Sequence, residues 1–422
     1  MTSGTYAHNQ APSALKNRNL QLYFGGQVVS LIGTWMQQVA MSWLIFRMTD
    51  SALMLGLVTF CAQAPSLLLT PFAGIIADRV DRHKMVKITQ IAAMLQAGIL
   101  TWLVMTGHVA LWHLILISSL LGIISAFDLP ARQSFLIDML DDKSQLTQAI
   151  ALNSSITTLT RLIGPMLAGL LVARAGESTC FLFNALSYFA VVLALFLIVP
   201  RRAHNDLQTL SADKSRSALK TQLFEGFIYA YKTLAIRYLL SLLGLCGLLS
   251  VPAMILMPVF ARDVLHGDAT TLGLLNAASA LGSMLGALYI GSRKGLAELT
   301  HSLIIGYVVF GAGLFAFGFS HYLALSLPLL VLVGFGSMIV LTGSNTILQS
   351  IVDEDKRGRV MSIFFMAFMG LAPFGSMAAG ALSGLIGANS TVIGMGLATL
   401  TLAFASYRLL SKDLLKKVAG AA

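Results

Sequence analysis

Charged residues are scarce in this sequence, and their scarcity excludes a soluble protein. Only 11% of the 422 residues are charged, whereas 56% are hydrophobic. Soluble globular domains carry about 25% charged residues. The uncharged runs are also too long for the strands of a membrane β-barrel. The composition therefore predicts an all-α polytopic membrane protein.

The sequence also gives no indication of disulfides or a metal site, of a cleaved signal peptide, or of an ATP-binding motif. The cysteines Cys61, Cys180 and Cys246 all lie in apolar runs, so we predict neither disulfides nor a metal site. The polar first 13 residues lack the apolar core of a cleaved signal peptide. No Gly-x-x-x-x-Gly-Lys-Ser/Thr motif occurs, so we expect no ATP and no cofactor.

Twelve apolar segments are long enough to cross a bilayer as helices, at about 20 residues each. Their approximate limits are 20–46, 53–77, 85–106, 110–131, 145–172, 179–199, 234–260, 270–291, 299–319, 322–349, 359–386 and 390–410. With an even number of spans, both termini lie on one side. The turns on that side carry nearly all Lys and Arg residues, and the opposite turns carry only Arg47, Arg174 and Arg262. By the positive-inside rule the basic side and both termini are cytosolic. The net charge of +10 is thereby explained without a nucleic-acid partner.

The two halves of the chain repeat in parallel. Gly164 and Gly169 recur 211 residues later as Gly375 and Gly380, at similar places in spans 5 and 11. We therefore predict two six-helix bundles, at residues 1–200 and 234–422, joined by a cytosolic linker at 201–233. In that linker, four apolar residues recur every four positions: Leu219, Leu223, Phe227 and Tyr231. This spacing favours an amphipathic helix on the inner leaflet and a solvated extension of span 7 about equally.

The segment from Gly74 to Lys84, between spans 2 and 3, is far more charged than its surroundings. It resembles motif A of the major facilitator superfamily, Gly-x-x-x-Asp-Arg-x-Gly-Arg-Arg/Lys. The matching residues are Gly74, Asp78, Arg79, Arg82 and Lys84, while Asp81 stands where the family often has Gly. The resemblance implies the fold of that superfamily, with two six-helix bundles.

The resemblance also implies a conformational latch on the cytosolic side. Asp78 would face the start of span 11 near Arg359, and Arg82 would pair with an acid at the cytosolic end of span 4. We identify that acid as Asp128. The alternative is that these charges only fix the topology.

Span 5 contains Gly164, Pro165 and Gly169 in a segment that resembles motif C, the exporter motif of proton antiporters, with Ala168 in place of one glycine. Together with motif A, it is similar to the drug:proton antiporter branch that includes the enterobactin exporter and macrolide efflux proteins. Simple packing of small residues is the alternative explanation of this segment.

Such a fold would hold its substrate between the halves, where residues at mid-depth are the candidates. They are Gln37, Gln38, Gln63, Asn153, Arg161, Met254, Asn276, Asn345, Phe365 and Met369. Each amide is at least as often an interhelical hydrogen-bonding group as a ligand contact. Arg161 differs, because a cation so deep in a span needs a partner or a water-filled cavity. It would attract an anionic group of a siderophore, unless it snorkels to the surface.

We therefore predict an exporter that moves a small amphipathic molecule, with a siderophore favoured, by alternating access in a bacterial inner membrane. We expect a monomer whose partners are its substrate and the lipid bilayer. The resemblance implies proton coupling, yet no Asp or Glu lies at mid-depth. Asp78 and Asp128 are the candidate proton sites, and coupling through the charge of the substrate is the alternative. Other functions left open are polyspecific drug efflux, a lysolipid flippase and a membrane sensor without transport.

Overall fold

The computed structural model describes residues 18–77, 80–140, 145–198 and 227–419. Within these ranges, twelve helices are long and apolar enough to span a membrane, as predicted. They are α1 Arg18–Thr49, α2 Ala52–Ala77, α3 Arg82–Met105, α4 Leu111–Asp138, α5 Leu146–Ala175, α6 Glu177–Leu197, α7 Leu234–Val264, α8 Ala269–Gly291, α9 Leu296–Gly318, α10 Leu323–Ile351, α11 Arg357–Ile386 and α12 Ala388–Ala419. The all-α fold class is confirmed. We call the side with most Lys and Arg residues the basic side, and the other the outer side.

Aspartate side chains cap the N-termini of two helices. The Asp81 carboxylate accepts hydrogen bonds from the backbone N–H groups of His83 (3.0 Å) and Lys84 (3.2 Å) at the start of α3. Asp268 accepts equivalent bonds from Thr270 and Thr271 at the start of α8. Each carboxylate satisfies N–H groups that have no partner within the helix. Asp81, which departs from the family motif, therefore serves as a helix cap.

Span α7 is the irregular one. It passes through a 3-10 segment at Val251–Leu256 and a π segment at Phe260–Val264. Pro252 and Pro258 lie at the changes of helix type, as expected for residues that lack an N–H donor. The linker helix predicted before α7 is described only at residues 227–232, which are helical; Leu219 and Leu223 lie outside the described residues.

The glycine repeat is matched by equivalent packing in the two halves. The short connections after α5 and α11 each turn on a glycine of positive φ, Gly176 at 79° and Gly387 at 85°, 211 residues apart. Gly164 of α5 packs against α1, and its equivalent in α11 packs against α7. The second glycine of each pair faces the other half: Gly169 contacts α8, and its equivalent contacts α2. Only a residue without a side chain permits these approaches. The arrangement confirms two related six-helix bundles.

The close contacts between the halves that we describe lie at mid-depth or on the outer side. Gly56 of α2 packs on the Ser376 carbonyl of α11, and the Phe60 and Phe374 rings lie 5.4 Å apart. Arg262 pairs with Asp50 beside the outer end of α1. The two bundles are therefore joined along α2–α11 and α5–α8 and closed at the outer side.

Candidate functional site

One face of α5 changes from buried to exposed at its midpoint. Its outer residues are buried: Pro165, Ala168 and Val172. Its basic-side residues are exposed: Ser154, Thr157 and Arg161. These positions recur every three or four residues, so they share one face. On the outer half this face lies between α1 and α8, because a Cβ at Gly164 would approach Trp35 Cβ to 2.5 Å and one at Gly169 would approach the Ala269 carbonyl to 2.6 Å. The exposed part therefore continues between the halves towards the basic side, and we interpret it as the wall of a cavity.

The equivalent face of α11 forms an apolar wall. Positions 376, 369 and 365 correspond to 165, 158 and 154 by the shift of 211. Ser376 is buried against Gly56, whereas Phe365 and Met369 are 52% and 59% exposed. Ala372 stands at the position equivalent to Arg161. The C-terminal wall of the cavity is thus apolar where the α5 wall is polar and charged.

A second polar stripe runs along α2, at Thr59, Gln63, Ser66 and Thr70. These positions also recur every three or four residues. They lie beside the residues that contact α11, and away from Leu68 and Phe72, which are exposed on the opposite side of the helix. Gln63 is exposed. The N-terminal half therefore presents polar side chains to the cavity from two helices.

Arg161 is the cation of this cavity. It lies 14 residues from the outer end of α5, which is about 21 Å along the helix. Its guanidinium carbon lies 5.7 Å from the centre of the Trp35 ring, on α1. Among the described residues no carboxylate pairs with Arg161, and the buried Trp35 Nε1–H also has no acceptor. Gln38, one turn from Trp35, is exposed. Two unpaired donor groups thus lie together at mid-depth.

The remaining cavity candidates have different surroundings. Gln37 does not fit the predicted cavity position in this structure, because its side chain is only 4% exposed and its amide is hydrogen-bonded within the N-terminal half. Its oxygen accepts from Asn184 Nδ2 (2.8 Å) and its nitrogen donates to Gln96 (3.3 Å). An amide satisfied in this way joins α1, α3 and α6.

The other four candidates are half-buried. Asn276 donates to the Leu272 carbonyl (2.9 Å) on its own helix, and Asn345 accepts from Gln349 near the basic end of α10. Met254 accepts a weak bond from Ser279 (3.7 Å), inside the C-terminal half. The remaining one, Asn153, lies on α5 two turns from Arg161. Their contact with a substrate stays a prediction.

The latch residues that the structure describes require a correction. Arg82 pairs with Asp138 at 3.0 Å, and its predicted partner Asp128 pairs with Arg132 at 2.5 Å. The sequence-based limit of 131 ended span 4 seven residues early, and α4 continues to Asp138. Asp128 therefore lies ten residues, or about 15 Å, inside the end of the helix. Asp138 is the acid that was missed. Extending the predicted span 4 through the uncharged residues 133–137 would have included Asp138.

Asp128 is the centre of a half-buried polar cluster in the N-terminal bundle. Besides Arg132, it accepts hydrogen bonds from Thr89 Oγ1 (2.7 Å) and Gln90 Nε2 (2.8 Å) of α3. Tyr23 of α1 and Tyr188 of α6 interact electrostatically with the pair. Such a pair is held because breaking it would leave one charge buried without compensation.

The other latch residues are described only in part. Asp78 and Arg79 lie outside the described residues, while Gly74 belongs to the last turn of α2 and Arg359 to the first turn of α11. On the outer side, Arg262 joins the halves through Asp50, and its guanidinium lies 4.3 Å from the Phe46 ring centre. No hydrogen bond between two residues of the described ranges joins the halves on the basic side. The contacts between described residues thus close the molecule at the outer side, and we interpret the exposed basic-side half of α5 as facing the open side.

Comparison with known proteins gives consistent results. The model of the transmembrane secretion effector family matches residues 10–417. The chain is 28% identical over 386 residues to the staphyloferrin A transporter of Staphylococcus aureus, covering 91% of this chain and 94% of that protein. It is 23% identical to the multidrug efflux pump Tap of Mycolicibacterium fortuitum, covering 86% and 89%. It is 21% identical to macrolide efflux protein A of Streptococcus pyogenes, covering 65% and 67%.

The fold is similar to solved transporters. An inward-facing bacterial homologue of the human lysosomal transporter Spinster aligns with a TM-score of 0.69 at 18% identity, covering 96% of this chain and 99% of that one. An inward-facing bacterial homologue of the iron transporter ferroportin aligns with a TM-score of 0.67 at 18% identity, covering 93% and 98%. At these identities the likeness shows the fold alone.

Proposed function

Since this chain belongs to the transmembrane secretion effector family of the major facilitator superfamily, we propose that it exports a small amphipathic anion by alternating access, with siderophores as the leading substrate class. The observation that carries the proposal is Arg161, an unpaired guanidinium at mid-depth in a cavity whose opposite wall is apolar. The 28% identity to the staphyloferrin A transporter supports the choice of siderophore.

The chemistry of the cavity fits such a substrate. Arg161 offers a planar set of donors that matches a carboxylate in a bidentate geometry. The exposed amides of Gln38 and Gln63 add further donors and acceptors on the same half of the molecule. Phe365 and Met369 supply a flat and flexible apolar surface for the rest of the molecule.

The direction of transport is part of the proposal. The positive-inside rule assigns the basic side to the cytosol, so the open cavity would receive its substrate there. The small-residue motif of α5 supports export through its resemblance to the exporter motif, and Gly169 and Gly380 are the positions at which each half meets the other. Tilting of one half against the other at these contacts would close the basic side and open the outer side.

The latch remains part of the proposal in a revised form. Arg82 with Asp138 would hold α3 and α4 together, and thereby present Asp78 to the start of α11 near Arg359 when the basic side closes. Gly74, near the end of α2, would permit this approach because it has no side chain.

Polyspecific drug efflux is the second candidate function. The exposed Phe365 and Met369 favour it, because Met and aromatic surfaces accommodate many apolar shapes. The relatives named as drug and macrolide efflux proteins support it as well. It differs from the first proposal in giving Arg161 no role in recognition.

Ligand-induced thermal stabilisation of the purified protein distinguishes the two candidates. Metal-free siderophores, including staphyloferrin A, are compared with macrolides and lysolipids. At a hundred times its Kd, a ligand stabilises by about 2.7 kcal/mol. Stabilisation by siderophores that is lost in Arg161→Ala and kept in Arg174→Ala, a control at the outer end of the same helix, supports the proposal. Stabilisation by many apolar compounds that is equal in both variants supports drug efflux instead.

A further inference from the structure

Residues 227–232, which precede α7, form a short helix that we call the linker helix. The chain leaves the helical conformation at Thr233, whose backbone is extended (φ −87°, ψ 106°), and α7 begins at Leu234. The guanidinium of Arg237, in the first turn of α7, donates a hydrogen bond to the Tyr231 carbonyl (3.4 Å). Carbonyls in the last turn of a helix lack a partner within that helix, and Arg237 supplies one. The linker helix is therefore not continuous with α7.

Tyr229 attaches one side of the linker helix to the C-terminal bundle. Its hydroxyl donates a hydrogen bond to the Asp353 carboxylate (3.1 Å), in the turn between α10 and α11. The Lys356 ammonium of the same turn lies 4.6 Å from the centre of the Tyr229 ring. Ala230, the next residue, is buried in the hydrophobic core. These contacts fix which side of the linker helix faces the protein.

The opposite side of the linker helix is apolar and exposed. Phe227, Ile228 and Tyr231 are 46%, 40% and 68% exposed. Successive residues of a helix point about 100° apart, so these three lie opposite Tyr229 and Ala230. An exposed apolar face on a helix that adjoins a membrane span is typical of a helix lying at the boundary between lipid and water.

Two cations border this apolar face, Lys232 at the end of the linker helix and Arg237 in α7. The guanidinium carbon of Arg237 lies 5.1 Å from the centre of the Tyr231 ring and 5.5 Å from that of the Tyr238 ring. Aromatic rings hold a guanidinium in place without neutralising it. Within the described part of the chain, neither Lys232 nor Arg237 has a carboxylate at salt-bridge distance. Both charges are therefore available to an anion from outside the protein.

The acids of the neighbouring turn do not offset these two charges. Lys356 pairs with Asp353 at 3.2 Å and lies 3.9 Å from Asp355. Glu354 lies 4.0 Å from Arg357. Residues 353–359 contain three acids and three bases, so this turn has no net charge. The surroundings of the apolar face are consequently positive.

We infer that the linker helix is a docking surface for the anionic phospholipids of the leaflet on the basic side. Because it ends one residue before a membrane span, it lies at the level of the lipid headgroups. Phe227, Ile228 and Tyr231 enter the boundary between headgroups and acyl chains, which suits aromatic and apolar side chains. Lys232 and Arg237 bind the headgroup phosphates, to which an arginine offers two parallel donors. None of these residues is among the cavity candidates, so the inference does not depend on the substrate.

Spin labelling of the full-length protein in lipid nanodiscs tests the inference. A label at Ile228→Cys, in a background without the native cysteines, reports its depth through collisions with oxygen and with a water-soluble nickel chelate. In phosphatidylcholine discs that contain phosphatidylglycerol, we expect oxygen to reach the label and the chelate to be excluded. In discs of phosphatidylcholine alone, the chelate should reach the label in a larger fraction of molecules. A label at Glu354→Cys is the reference, because that side chain is 92% exposed in the neighbouring turn and should meet the chelate in both discs.

Charge substitutions identify the groups that bind the lipid. Each Lys or Arg near an anionic bilayer contributes about a 5-fold preference. Lys232→Gln and Arg237→Gln should each lower the ratio of inserted to water-exposed label by about that factor in the phosphatidylglycerol discs, whereas Arg237→Lys should keep most of it. The matched control is Arg293→Gln, because Arg293 is exposed just beyond the basic end of α8, and its guanidinium carbon lies 4.3 Å from the centre of the Tyr289 ring. Melting temperatures check that the variants fold.

Four results would overturn the inference. A chelate that reaches Ile228→Cys in both kinds of disc would place the linker helix in water. Equal shielding of that label with and without phosphatidylglycerol would exclude anionic headgroups as the ligand. Shielding from both oxygen and the chelate would indicate a protein partner or a second copy of this chain. An equal loss in Arg293→Gln would attribute the effect to the net charge of the protein.

Discussion

The outer ion pair between Arg262 and Asp50 should hold the molecule in its basic-side-open state. Arg262 interacts with Asp50, with its neighbour Asp263 at 2.9 Å, and with the ring of Phe46. Its side chain is 32% exposed, and that of Asp50 is 72% exposed, so water weakens their attraction. A pair of this kind is worth about 0.2–1 kcal/mol. The cation–π contact adds about 0.5–1 kcal/mol.

These magnitudes predict graded effects of two substitutions. Asp50→Asn removes only the pair between the halves, so we expect a loss of about 0.5 kcal/mol. Arg262→Ala also removes the contact with Phe46, for a total of about 1–2 kcal/mol. That total corresponds to about a 5- to 30-fold change in the ratio of basic-side-open to outer-side-open molecules. The effects should shrink at high salt, because the pair is exposed.

Pulsed EPR measures this ratio directly. Spin labels at His108 and His321, exposed residues in the outer turns of the two halves, would report the outer separation in a background without the native cysteines. The matched control is Arg47→Ala, because Arg47 pairs with Glu177 at 2.8 Å on the same side but within one half. The reasoning is refuted if Arg262→Ala leaves the distance distribution unchanged, or if Arg47→Ala shifts it equally.

Three further predictions follow from individual contacts. Gln37→Leu should lower the free energy of unfolding by about 1–3 kcal/mol, because it leaves buried amide groups of its neighbours unpaired, and substrate Kd should not change; a changed Kd with unchanged stability would return Gln37 to the cavity. Gly169→Leu should abolish transport by separating α5 from α8, whereas Gly384→Ala, at an open position, should transport normally in the same vesicle assay. Asp138→Asn should lower the transport rate while membrane insertion stays normal, because Arg82 loses its carboxylate partner; a normal rate would limit this pair to topology.

The sequence predicted the fold well, because membrane insertion imposes strong and simple constraints. Twenty apolar residues span a bilayer wherever they occur, and a parallel repeat leaves its glycines at a fixed shift. The limits of the spans were less predictable. The basic end of α4 carries Asp128, Arg132 and Asp138, and its charges ended the predicted span before the helix ends. They are tolerated there because the first two neutralise each other inside the bundle.

The amides of the spans show why the cavity was harder to predict than the fold. Gln37 and Gln38 are adjacent in sequence and equally polar, yet one is buried in the N-terminal bundle and the other is exposed. Successive residues of a helix point about 100° apart, so depth alone does not distinguish them. Distinguishing the buried from the exposed glutamine requires knowing on which side of α1 the neighbouring helices lie. The contact between Trp35 and Gly164 shows where α5 lies, but only in the packed structure.

Comparison of the two halves supplies a criterion that depth does not. Glycines that permit a turn or a close approach between helices are kept at equivalent positions, as at Gly176 and Gly387 or Gly169 and Gly380. Where the repeat faces the cavity, equivalent positions diverge: Ser154 becomes Phe365 and Arg161 becomes Ala372. A backbone with two-fold symmetry thus carries an asymmetric cavity. An amphipathic anion needs that asymmetry, because its charged and apolar ends must be bound by different walls. Swapping the charge across the repeat, as Arg161→Ala with Ala372→Arg, should therefore fail to restore siderophore binding, because the cation would then lie within the apolar wall; restored binding would show that recognition depends on charge alone.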